Sequence, residues 1–70
     1  MGQMPTILRI DRVFEWQDAS GKTHYRTYAT MTDGDELAGY GKDYQVGDKV
    51  ERFYHYGQGK MRKSRPPKAL

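Results

Sequence analysis

Apolar and polar residues alternate with a period of two along most of the chain. No segment repeats apolar residues three and four apart over two turns. The pattern predicts strands and no substantial helix. The first strand covers residues 6–16. Leu8, Ile10, Phe14 and Trp16 share one parity there, while Ile7, Arg9, Asp11 and Glu15 mostly share the other. Arg12 falls on the apolar parity and Val13 on the polar one. A bulge near Arg12 would switch parity within the strand and turn Leu8, Ile10 and Val13 inward. Residues 17–22 form a polar turn. Residues 23–31 make a second strand, with Tyr25, Thr27, Ala29 and Met31 inward and His24, Arg26, Tyr28 and Thr30 outward.

A turn centred on Asp33 and Gly34 leads to a short third strand at 37–40. Gly39, Gly41 and Gly47 break the following stretch too often for a helix. The turn Val46, Gly47, Asp48 then launches a fourth strand over 49–56, rich in Val50, Phe53, Tyr54 and Tyr56. Gly57, Gln58 and Gly59 read as the reversal, and 60–63 as a basic fifth strand. Counting outward from that reversal sets Tyr54 across from Arg62.

These elements predict an all-β domain of five short strands closing into a small barrel. A long bent first strand followed by a meander suits an OB-like barrel; an SH3-like barrel is the alternative. The missing helix between the third and fourth strands departs from the usual OB pattern. The domain is expected at 6–63, between a disordered start at 1–5 and a basic tail at 64–70 containing Pro66 and Pro67.

Seventy residues make one small domain with a limited core, and the chain has no cysteine to staple it. No apolar run reaches the roughly 20 residues of a membrane span, and no signal-peptide pattern opens the sequence. A cytoplasmic protein with no membrane partner is expected. The net charge of +3 is unevenly placed. Residues 57–70 hold five cations and no acid, and residues 1–56 hold seven cations and nine acids, a net of −2. A localised patch of this kind attracts anions as a diffuse charge does not.

Catalytic chemistry finds little material. Ser20 lies in a turn and Ser64 in the tail. His24 and His55 occupy different strands, with no cysteine near either at metal-ligand spacing. Asp33, Asp35 and Glu36 lack the spacing of a calcium loop. The glycines punctuate turns and precede no helix that could cradle phosphate. No catalytic residue, metal site or cofactor is expected.

The aromatics are in surplus. Nine of 70 residues are Phe, Tyr or Trp, more than so small an interior can hold. Whichever parity the fourth strand takes, an aromatic ring is left outside near Arg52, Lys60 or Arg62. Rings beside cations suit single-stranded nucleic acid, where bases stack and cations follow the phosphates. The expected function is a non-catalytic module binding single-stranded DNA or RNA through Trp16, Arg26, Tyr28, Arg52, Tyr54, Tyr56, Lys60, Arg62 and Lys63. The alternative is a protein-interaction module or small inhibitor presenting the same Tyr-rich face to another protein.

Overall fold

The computed structural model describes residues 4–63, five strands and no helix among them. The strands are β1 (Ile7–Gln17), β2 (Thr23–Met31), β3 (Glu36–Tyr40), β4 (Val50–His55) and β5 (Gln58–Lys63). No helix among the described residues is long and apolar enough to cross a membrane. The expected termini, 1–5 and 64–70, lie largely outside the described residues.

One sheet takes the order β1-β2-β3-β5-β4. All neighbours are antiparallel except β3 and β5, which run parallel through Ala38 opposite Lys60 and Gly39 opposite Met61. The sheet is open. Among the described residues, its two ends meet only at the start of β1, through a bridge between Thr6 and Lys49. There the Ile7 N–H donates to the Asp48 carbonyl at 2.9 Å, and the Gly47 N–H donates to the Ile7 carbonyl at 2.8 Å.

The core lies under one face. Ile7, Met31, Leu37, Val50 and Met61 are buried together with Ala29 and Tyr44, and Ile10 packs at the edge of the cluster. Tyr44 is brought in by the loop between β3 and β4, and Gly39 makes room for it. A Cβ at position 39 would lie 2.5 Å from the Tyr44 hydroxyl oxygen. That hydroxyl donates to the Met61 carbonyl at 3.5 Å, and burial pushes its pKa up.

Four expectations need correcting. β1 carries two register shifts, between Ile7 and Arg9 and between Ile10 and Arg12. The second is the expected bulge. The first puts Ile7 inside and Leu8 outside, because Leu8 is the extra residue between Ile7, which opposes the buried Met31, and Arg9, which opposes Thr30. Val13 opposes the buried Thr27 yet is exposed, since the core does not extend to that end of β1. The β4–β5 reversal is two residues, Tyr56 and Gly57, both with positive φ (51° and 75°). Such a turn follows the twist of a hairpin, and it leaves Gln58 and Gly59 inside β5. Tyr54 therefore opposes Gly59, and Arg62 opposes Glu51. Tyr54 and Arg62 lie on opposite faces of the hairpin, not side by side.

Candidate nucleic-acid interface

Directly opposed residues share a face, so the ladders define what the outer side of the sheet presents. One row runs Arg12, Tyr28, Ala38, Lys60, Phe53 from β1 to β4. The next begins Phe14, Arg26, Tyr40 and continues to Arg62 and Glu51 on the β5–β4 side. Trp16 and His24 form the last outward pair at the far end of β1 and β2. Rings and cations thus alternate along and across the face.

The contacts follow this placement. The Phe14 and Tyr28 rings meet edge to face at 5.9 Å. The Arg12 guanidinium lies 4.4 Å from the Phe14 centroid, and that of Arg26 lies 5.5 Å from the Trp16 ring. At the β4–β5 end of the same face, Arg62 sits 4.9 Å over Phe53. Contacts of this kind hold a guanidinium against a ring face without neutralising it. Arg62 also pairs with Glu51 at 2.9 Å, and Arg9 with Asp11 at 2.6 Å. Among the described residues, Arg12, Arg26 and Lys60 make no ion pair. Three cations therefore keep their charge available on one face.

Among the described residues, three of the recesses open here. A groove of about 780 Å³ crosses the sheet from Arg12 past Tyr28 to Lys60, over the small floor residue Ala38. A recess of about 470 Å³ lies toward Tyr40, Phe53 and Arg62. A third of about 340 Å³ is walled by Phe14, Trp16, Arg26 and Tyr28. Arg26 lines all three, which makes it the hub of the face.

The Trp16 end is braced by a polar network. His24 stacks on Trp16 at 5.4 Å, 20° from parallel. Its Nε2 lies 2.7 Å from Asp18 Oδ2, and its Nδ1 lies 2.5 Å from the Tyr40 hydroxyl. In the neutral ring Nε2–H donates to the carboxylate and Nδ1 accepts from Tyr40. Asp18 also accepts from the Ser20 hydroxyl at 2.6 Å and from the backbone N–H groups of Ser20 and Lys22. The turn after β1 is thereby tied to Tyr40 on β3.

The His24 bond, and after it the Ser20 hydroxyl, hold the Asp18 carboxyl well below the usual carboxylate range. Its folded pKa is below its unfolded one. The stabilisation is therefore complete above about pH 4 and is lost as the pH falls toward the folded value. Thermal melts from about pH 6 to about pH 2 should show Asp18→Asn less stable than the wild type at the upper end, with the gap closing in acid. A gap unchanged with pH would show that the Asp18 charge is not what braces the turn.

Of the residues expected at the site, Trp16, Arg26, Tyr28, Lys60 and Arg62 come together on the outer face. Four do not. Arg52 alternates to the other side and bridges Asp33 and Asp35, each at 2.5 Å, across the β2–β3 turn. Asp33 is held low by the Asp35 backbone N–H and then by Arg52. Tyr54 shares the Arg52 parity and is 65% exposed. Tyr56 is 93% exposed at the turn, its ring 4.4 Å from that of His55. Lys63 opposes Val50 and donates to the Asp43 carbonyl. Arg12, Phe14, Tyr40 and Phe53 belong to the outer face without having been expected at the site. Their signal was parity. Arg12, Phe14 and Trp16 stand two apart, and a cation in that series marks the stripe as solvent-facing.

No family model matches the chain, and no curated protein or solved structure is found to match it.

Proposed function

We propose that the protein is a non-catalytic module that binds single-stranded nucleic acid across the outer face of its sheet. The observation carrying this reading is the alternation of rings with unpaired cations across one face of the sheet and its recesses. Bases stack on rings of any orientation they can reach, and each stack is worth about 1–3 kcal/mol. Arg12, Arg26 and Lys60 lie where the phosphates of a strand lying along the groove would run. The groove is shallow and open, and it suits an unpaired strand whose bases can turn onto the sheet.

An OB-like architecture fits the same reading. The order β1-β2-β3-β5-β4, the parallel β3–β5 pair and the return of the β4 end to Thr6 favour it over an SH3-like barrel. OB barrels bind oligonucleotides on the face of strands two and three and between the loops joining strands one and two and strands four and five. Tyr28, Arg26 and Tyr40 occupy that face here, and the braced Asp18 turn flanks it.

A labelled oligothymidylate titrated with the protein tests the proposal. Binding should be readily seen at about 50 mM salt and should fall steeply by about 200 mM, as bound counterions are released. An unlabelled single strand should compete better than the duplex of the same length. Absence of binding at low salt would end the proposal.

A further inference from the structure

β1 ends the strand order, and it is paired on one side only beyond Ile7. Among the described residues, the edge of 8–17 that faces away from β2 has no backbone partner. A free edge of this length is a template for another strand unless something blunts it. The two bulges distort its first part, up to Arg12. From Arg12 to Gln17 the register against β2 is regular, and the run holds no proline or lysine.

We propose that this run pairs with the same run of a second copy, forming a two-fold dimer through a continuous antiparallel sheet. Two identical antiparallel edges can meet only about an axis normal to the sheet, so that one residue faces its own copy. Two centres keep five residues of the regular run in register. Centring on Glu15 would oppose two carboxylates, which is unfavourable. Centring on Phe14 opposes two rings, and it sets Arg12 of each copy across from Trp16 of the other. Both pairings are favourable, the first aromatic and the second cation–π. The outer faces of the two copies then join, and their Phe14 and Trp16 rings form one strip.

Sedimentation equilibrium of the full chain without nucleic acid tests this. The wild type should reach twice the 8.1 kDa of one chain as its concentration rises. Phe14→Lys and Phe14→Glu should each sediment as single chains, because each opposes like charges across the axis. Their equimolar mixture should recover the doubled mass. A wild type that stays at the single-chain mass to near-millimolar concentration would overturn the proposal, leaving the edge to a different strand. So would variants that each keep the doubled mass, or a mixture that does not recover it. Should either variant lose its β spectrum, amide exchange of the wild type decides. Protection at residues 12–16 should rise with protein concentration, and protection independent of concentration would overturn the dimer.

Discussion

Ile7→Ala is expected to destabilise the protein by about 2–5 kcal/mol, the usual range for truncating a fully buried aliphatic side chain. A 70-residue domain has roughly 4–10 kcal/mol in total, so the variant should be largely unfolded near physiological temperature. Two features make Ile7 a sensitive position. Its side chain is 1% exposed and packs among Met31, Val50 and Met61, residues drawn from three other strands. Its backbone also joins the two ends of the sheet, through the bonds to Asp48 and Gly47. A cavity there loosens the packing at the one point where those ends meet. Ile10 lies on the same face but only at the margin of the core, and Ile10→Ala should cost less. Urea denaturation of both variants measures the difference. Equal midpoint shifts would show that the core reaches as far along β1 as Ile10.

The strands could be read from the sequence because a sheet buried on one face imposes a period of two on its residues. The second strand shows this best. Thr27, Ala29 and Met31 are buried as their parity implied, and Arg26 and Tyr28 face out. The readings that failed did so where one residue changes the parity of everything beyond it. A bulge at Leu8 exchanged the roles of Ile7 and Leu8. A Tyr in the left-handed conformation is uncommon, so a reversal at Gly57 to Gly59 was the natural choice, and it moved Tyr54 and Arg62 onto one face. Tyr44 and Met61 were missed as core for another reason. Tyr44 lies in a loop, outside any alternating run, and its burial depends on the absent side chain of Gly39, a tertiary fact with no local signal. The same limits applied to the site. The surplus of rings and the neighbouring cations were visible as composition, but which of them share a face follows from the ladders.

Trp16→Ala should weaken oligonucleotide binding by about 1–3 kcal/mol, roughly five- to 150-fold, at any salt concentration. Trp16 offers the largest ring on the outer face. It is held in place by the stacked His24 ring, with the Arg26 guanidinium nearby, so little ordering remains to be done on binding. Arg26→Ala should behave differently. Its guanidinium makes no ion pair among the described residues and lines all three recesses. Its loss should cost more affinity at low salt than at high salt. For a single strand, the slope of log affinity against log salt should fall by about 0.7 for the one phosphate contact removed. Tyr54→Ala is the control. It lies on the opposite face of the β4–β5 hairpin from Phe53 and Arg62 and should leave both affinity and slope unchanged. All three variants should melt as single cooperative transitions, since none of these side chains belongs to the core. A Tyr54→Ala loss as large as that of Trp16→Ala would move the binding surface to the other side of the hairpin. A Trp16→Ala effect that vanishes at high salt would mean that the face binds phosphate without stacking bases.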